Sequence, residues 1–279
     1  MIGNLVYLYL LSPLHTGGAT QEGNLLGIAR ESHTDLPYIP SSTIRGRLRA
    51  ETPDDKRTLL WGNTIDDVTG GTDENLKQGA LWIGDGSILW LPVPSLSHGV
   101  VWISCPMLLQ RWKRLSNSSA VVPPEYSTNL GNSKPVYLKD AILKANTLLP
   151  WNNQADFIPP SEARETIQRV LVLPDQHCAT LIQMSLWRQV KVKLDEHKTV
   201  DGGFRYEEAI PPDTLMYFPW GITSQANGNG NQFSTHFESI LTSQSVLQIG
   251  GQESLGRGFV QLSIANQTKA QNVKQEATV

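Results

Sequence analysis

Trp187-Arg188-Gln189-Val190-Lys191-Val192-Lys193-Leu194 and Thr199-Val200-Asp201-Gly202-Gly203-Phe204-Arg205-Tyr206 flank the charged tetrapeptide Asp195-Glu196-His197-Lys198. β-Branched and aromatic side chains favour extended backbone, and a short polar connection between two such runs predicts an extended β-hairpin. Upstream, residues 3–11 alternate apolar and β-prone side chains and read as a strand, followed by a glycine-bearing loop from Pro13 to Gly27. Ser41-Ser42-Thr43 supply caps ahead of a helix-compatible run, in which Arg45 and Arg49 lie four residues apart and share one face. The acidic segment 62–79 reads as a loop, 80–91 and 99–104 as strands, and Pro106 opens a short amphipathic helix to Leu115. A long polar loop, 116–135, precedes a helix expected over 160–172. Beyond the hairpin come a strand at 213–223, a low-complexity loop at 225–232 and a helix at 233–243. The chain closes on a strand, a glycine-rich turn, a second strand and a polar tail from Asn266, expected to be disordered. Strands and helices interleave without a regular βαβ rhythm or an internal repeat, so the expected fold class is α+β.

Composition bounds the function classes. The 279 residues are 39% hydrophobic and 18% charged, enough to bury a core and too apolar for a disordered chain. No apolar run approaches the roughly 20 residues of a membrane span, and the N-terminus lacks the basic region of a signal peptide. Cys105 and Cys178 are too few for a disulfide framework or a zinc cage and are expected in the core. These features predict a soluble, cytoplasmic protein without a membrane partner. The net charge of −3 argues weakly against nucleic acid, but it is unevenly distributed. Residues 51–85 carry eight acids and three bases, leaving +2 on the remainder. The other bases come in groups: Arg45, Arg47 and Arg49; Arg111, Lys113 and Arg114; Arg188, Lys191 and Lys193. Exposed charges act only over about 8–10 Å at ordinary salt, so their location decides more than their sum. Each group alone is most simply a solvated face.

The sharpest local motif is Gly250-Gly251-Gln252-Glu253-Ser254-Leu255-Gly256-Arg257-Gly258. Its glycines let backbone N–H groups approach an anion and Arg257 adds a charged donor; the same residues equally suit a tight turn with positive φ. A strand rather than a helix follows, so it is neither a dinucleotide fingerprint nor a P-loop. Hydrolase signatures are absent, and of six scattered histidines only His15 opens a loop directly after a strand, where functional side chains concentrate.

Six segments in order carry a resemblance: Ser12-Pro13-Leu14-His15-Thr16-Gly17, Leu36 through Arg49, Pro92-Val93-Pro94-Ser95-Leu96, Ser104-Cys105-Pro106, Phe204 through Pro211, and Ile249 through Phe259. From residue 4 to about 263 the chain resembles the RAMP superfamily. Within it, the chain is most similar to the repeated backbone subunit, the fourth, of type III-B (Cmr) CRISPR effector complexes. The resemblance implies a modified RRM-like (ferredoxin-like) palm with a protruding β-hairpin thumb at about 188–207. A fingers-like insertion falls at about 51–79 and an irregular insertion at about 116–158, all within a single domain, 1–265, followed by the tail 266–279. It implies a CRISPR RNA guide, a complementary target RNA, further copies of the chain in a filament and other Cmr-type subunits, including the large Cas10-type subunit, as partners. Guide-binding candidates are then Arg45, Arg49, Gly250, Gly251, Gly256, Arg257 and Gly258, while the thumb bases Arg188, Lys191 and Lys193 are RNA-binding candidates for either strand, guide or target. Such contacts hold phosphates while base pairing supplies sequence specificity.

In the family a loop aspartate a few residues before Arg30-Glu31 is associated with metal-dependent cleavage of target RNA. Here that position holds Asn24 or Leu25, and neither supplies an anionic ligand for Mg²⁺ or another divalent cation. His15, Glu207 and Glu208 match positions near the family's cleavage site, and Glu22 is a possible substitute for the aspartate. The leading expectation is an RNA-binding subunit with weak or lost cleavage and no tightly bound cofactor. The alternatives are an active endoribonuclease with a rearranged site, or an end-capping or CRISPR-RNA-processing RAMP protein.

Overall fold

β1 (Leu5–Leu10) is the strand around which the molecule is organised: all six of its residues are buried, and it pairs antiparallel on both sides. The structure, a computed structural model, describes residues 4–264 except 23, 66–68, 71–74 and 227. The tail 266–279 therefore lies outside the described residues. The next elements are β2 (Gly17–Glu22), β3 (Leu25–Ile28), α1 (Ser41–Glu51), α2 (Asp54–Trp61), β4 (Leu81–Ile83), β5 (Ser87–Ser95), β6 (Gly99–Ser104) and α3 (Pro106–Ser116). Four two-residue strands follow: β7 (Ser127–Thr128), β8 (Val136–Tyr137), β9 (Ile142–Leu143) and β10 (Leu149–Pro150). The chain then forms α4 (Ala163–Thr166), β11 (Val170–Val172), α5 (Asp175–Met184), β12 (Trp187–Leu194) and β13 (Val200–Ala209). It ends with β14 (Leu215–Ile222), α6 (Gly230–Ser243), β15 (Val246–Gln248) and β16 (Phe259–Ile264).

The main sheet has ten strands in the order β10-β7-β11-β6-β5-β14-β1-β16-β15, with β4 attached to β14. It separates two cores, and β1 feeds both because successive strand residues face opposite ways. Val6, Leu8 and Leu10 join Ile44, Leu48, Trp61, Trp220 and Phe237 under α1, α2 and α6. Leu5, Tyr7 and Tyr9 join Trp90, Trp102, Trp112 and Phe157 on the other face. Trp220 packs edge-on to Phe237 at 4.6 Å between centroids, a geometry that aromatic quadrupoles favour. The α+β class is as expected, with mixed pairing in one large, mostly open sheet. No helix among the described residues is long and apolar enough to cross a membrane. Cys105 and Cys178 are free and buried, and the contact with the Cys105 thiol, together with burial, pushes the Cys178 thiol up from its ordinary pKa.

Several elements differ from the sequence expectation. The loop expected from Pro13 to Gly27 contains β2 and β3, which pair with each other and join the hairpin rather than the main sheet. The helix expected over 160–172 is only the four residues of α4; Val170–Val172, fully buried, extend as β11 parallel to β6. The run 80–91 divides at Gly84-Asp85-Gly86 into β4 and β5. No side chain among Ser41, Ser42 and Thr43 caps α1: Pro40 is its N-cap residue, and Asp85 reaches across to accept the Ser41 N–H at 2.6 Å. A carboxylate there satisfies an otherwise orphan donor and favours the positive end of the helix dipole. α5 was not anticipated at all.

Candidate functional site

The hairpin is present as β12 and β13, in register from Trp187↔Ala209 to Val192↔Phe204, and β3 extends it by parallel pairing of Tyr206 with Leu25 and Glu207 with Leu26. Strand alternation sends the adjacent residues Glu207 and Glu208 to opposite faces of this ribbon, and each becomes the anchor of a charge cluster. Glu208 is fully buried and accepts from Arg30 Nη2 at 2.6 Å and from Arg188 at 3.0–3.1 Å. Arg30 also donates to the Asp35 carbonyl and to Gln183, tying α5 to the same carboxylate. Glu207, 1% exposed, has Lys191 Nζ at 3.0 Å and Arg257 Nη1 at 3.1 Å on one oxygen, with Arg205 at 3.8 Å from the other. Arg257 is itself only 3% exposed; it lies 4.5 Å over the Trp187 ring and donates to Gln189 and Gln252.

His15 closes the arrangement. It is 5% exposed, and its Nδ1 sits 2.8 Å from the Glu208 carbonyl oxygen. A carbonyl only accepts, so Nδ1 carries a proton. The His15 carbonyl accepts the Gly251 N–H at 2.9 Å, and the Pro13 carbonyl accepts the Gly258 N–H at 2.9 Å. The glycine turn thus approaches segment 13–15 closely; a Cβ on Gly250 would stand 2.5 Å from the His15 oxygen.

His15, Glu207, Glu208, Gly250, Gly251, Gly258, Arg257, Arg188 and Lys191 therefore converge at the hairpin root, as does the loop position of Asn24 and Leu25: the Asn24 carbonyl accepts the Tyr206 N–H at 2.8 Å. The Glu22 side chain lies outside the described residues. Gly256 is exposed at the tip of the turn, and Lys193 projects farther along the hairpin, 77% exposed and 2.6 Å from Asp201. Arg45 and Arg49 belong to a different neighbourhood. They donate to the carbonyls of Trp61 and Gly62, where α2 ends, and Arg45 lies over the Trp61 ring. Arg30, Trp187, Gln189 and Gln252 were missed as site residues. Only the shared parity of Trp187, Gln189 and Lys191 with Glu207 on the paired strands hinted at their common face.

Burial disfavours the Glu207 anion, but Lys191, Arg257 and Gln252 outweigh it and hold the carboxyl below its ordinary 4.5. A depressed carboxylate contributes stability that is complete above the unfolded value and is lost as pH falls through the folded one. The thermal midpoint should therefore decline as pH drops below about 4.5, and Glu207→Gln should flatten that decline. An unchanged acid slope in the variant would show that the clamp contributes nothing.

A divalent cation does not fit these residues. Both carboxylates are already neutralised by guanidinium and ammonium groups, one nitrogen of His15 is occupied, and among the described residues no three His, Cys, Asp or Glu side chains form a metal-holding group. The arrangement locks a basic hairpin onto the main sheet.

Relatives share this architecture over nearly the whole chain. The CRISPR system Cmr endoribonuclease Cmr4 of Pyrococcus furiosus is 28% identical, with 95% of this chain and 96% of that protein aligned. The crystal structure of oligomeric Cmr4 from the same organism superposes with a TM-score of 0.68 at 24% identity, covering 94% of this chain and 97% of that one. A chain of a type III-B Cmr-beta complex bound to cognate target RNA gives 0.70 at 24% identity, covering 94% and 96%. The family model described as the RAMP superfamily runs over residues 7–261, from the central strand β1 through the clamped hairpin to the last strand, and this places the chain in the RAMP superfamily.

Proposed function

We propose that the chain is a repeated backbone subunit of a type III-B CRISPR effector complex, holding the CRISPR RNA guide by its phosphates and spacing the guide–target duplex with its hairpin. The full-length relation to Cmr4 supports this reading. The structural observation that carries it is a hairpin standing clear of both cores, with Lys191, Lys193 and Arg205 on one face. In this reading the main sheet is a modified RRM-like palm, the hairpin at 188–207 the thumb, 51–79 the fingers-like insertion and 116–158 a further insertion in a single domain, 1–265. Its partners are the guide, the complementary target RNA, further copies of itself in a filament and other Cmr-type subunits, including the Cas10-type one, in a cytoplasmic ribonucleoprotein.

Lysine and arginine on an exposed strand face bind phosphates by counterion release, without reading bases. Replacing Lys193 and Arg205 together by alanine should weaken guide binding alike for unrelated guide sequences and reduce the salt slope of the affinity by about 1–2. Filter binding across a salt series measures this. An unaltered slope would remove the hairpin from the RNA interface.

Target cleavage is, in this proposal, weak or lost. Asn24 and Leu25 offer no anion where the family has its aspartate, and His15, Glu207 and Glu208 are buried in structural contacts. The assembled complex should leave a guide-complementary RNA intact in Mg²⁺. Regularly spaced, Mg²⁺-dependent cuts that vanish with His15→Ala would overturn this.

A further inference from the structure

Arg111 belongs to the basic group on α3, yet its guanidinium is turned onto Glu31. Nη1 donates to one carboxylate oxygen and Nη2 to the other at 3.1 Å, and the Thr34 hydroxyl donates to the same carboxylate. Two parallel bonds from a planar fork fix an angle as well as a distance. The pair is mostly enclosed, the two side chains being 24% and 14% exposed. Burial works against the Glu31 anion, but Arg111 and Thr34 outweigh it and hold the carboxyl below its ordinary 4.5.

The two ends of this pair belong to different parts of the molecule. α3 is fixed to the main sheet: Leu108, Leu109 and Trp112 are buried, and Trp112 Nε1 donates to the Tyr7 hydroxyl of β1 at 3.1 Å. Glu31 belongs to the ribbon side, because β3, paired with β13, ends at Ile28 and leads directly into Arg30-Glu31. Arg30 pairs with Pro37 across a short turn, and neighbouring side chains on extended backbone point to opposite sides. Arg30 thus reaches Glu208 at the hairpin root while Glu31 reaches α3. Two ion pairs run in series, through one peptide bond, from the main sheet to the hairpin.

We propose that Glu31 and Arg111 are positioning residues whose ion pair sets the tilt of the hairpin against the main sheet. The inference deepens the reading of the hairpin as the element that spaces the guide–target duplex, and for its effect on RNA it rests on that reading. The mechanical argument is independent of it. A single tether at the root would act as a pivot, whereas two tethers on opposite faces of the ribbon fix its angle. Arg257 of the glycine turn holds Glu207 on one face, and Arg30 holds Glu208 on the other. The Arg30 tether is only as firm as its own turn. Leu36 seats one side of that turn in the core, and the Arg111 fork holds the other. Small errors at the root are amplified at the tip. Eight residues of β13 at about 3.4 Å each make an arm of roughly 27 Å, so a tilt of about 10° moves its end by about 5 Å.

The test measures the tip directly in the full chain. Spin labels are placed through Glu196→Cys at the exposed hairpin tip and Ser239→Cys on the exposed side of α6, while the enclosed Cys105 and Cys178 remain unlabelled. Double electron–electron resonance should give one narrow distance in the otherwise unmodified chain. Glu31→Gln and Arg111→Met should each shift or widen it by about 3–5 Å, and the double variant should do no more than the larger single change, since both remove one interaction. Arg47→Met breaks an ion pair of similar exposure, Arg47 with Glu51 on α1, and should leave the distance unaltered. Glu31→Gln keeps the side-chain shape and one acceptor, so it carries the test if Arg111→Met does not fold. In the guide-loaded assembly target affinity should fall about two- to thirtyfold, with the salt slope of guide binding retained. The inference is overturned if Glu31→Gln, folded, leaves the distance unchanged, if the two single effects add, or if Arg47→Met moves the tip as far. A tip that moves while target affinity stays constant would uphold the positioning role and sink the duplex-spacing reading instead.

Discussion

Arg257→Ala should lower folding stability by about 3–5 kcal/mol, the usual consequence of removing one member of a buried ion pair. The guanidinium is almost fully enclosed, and its loss would leave Glu207 with Lys191 at 3.0 Å and Arg205 at 3.8 Å and vacate the face of Trp187. Lysine should recover little, because it lacks the planar fork that reaches Glu207, Gln189 and Gln252 together. Urea unfolding of the isolated subunit measures the effect. If Arg257→Ala leaves stability within about 1 kcal/mol of the unmodified chain while RNA affinity collapses, Arg257 is a phosphate ligand and the structural clamp is secondary.

Gly258→Ala is the second change expected to be severe. Gly258 has φ +79°, and an added Cβ would lie 1.9 Å from the Ile249 carbonyl oxygen, an overlap with backbone that no rotamer relieves. About 1–2 kcal/mol for a left-handed backbone and about 1–3 for the forced displacement give a loss on the order of 2–5 kcal/mol. The displacement would also strain two backbone hydrogen bonds, Gly258 to Pro13 and Ile249 to Gly258. Gly256 is the internal control: its φ is +73°, but its Cβ would meet open space, so Gly256→Ala should lose only the backbone part. Equal losses at the two positions, read by thermal or urea melts, would show that close approach is not what demands glycine at 258.

The hairpin was legible because its evidence is local: β-prone residues in two runs around a polar turn. The glycine turn was legible as a turn for the same reason. Which of its two uses it serves was not, because that depends on segment 13–15, more than two hundred residues away in sequence, whose carbonyls accept the Gly251 and Gly258 N–H groups. Arg45 and Arg49 illustrate the limit from the other side. Their helical spacing was correctly read, yet their guanidiniums turn toward the carbonyls that end α2, a destination set by tertiary packing. β11 was misread because Val170-Leu171-Val172 is too short for its period to speak, and burial against β6 decided its conformation. The convergence of His15, Glu207 and Glu208 was expected from the family resemblance. Their engagement with Arg30, Arg188, Lys191 and Arg257 is a matter of geometry that spacing along the chain does not encode.

The hairpin's position outside both cores also sets a clock. Amides in β1 lie inside the main sheet, paired on both sides and sealed on both faces, and exchange with solvent only when the whole molecule opens. Amides beyond Val192 in the hairpin are guarded by one partner strand and the surrounding water, and a local opening suffices to release them. Hydrogen exchange should therefore divide the chain into a slow centre and a fast arm joined at the two buried carboxylates. Any partner that settles on either face of that arm will be visible as slowed exchange there, without disturbing the centre.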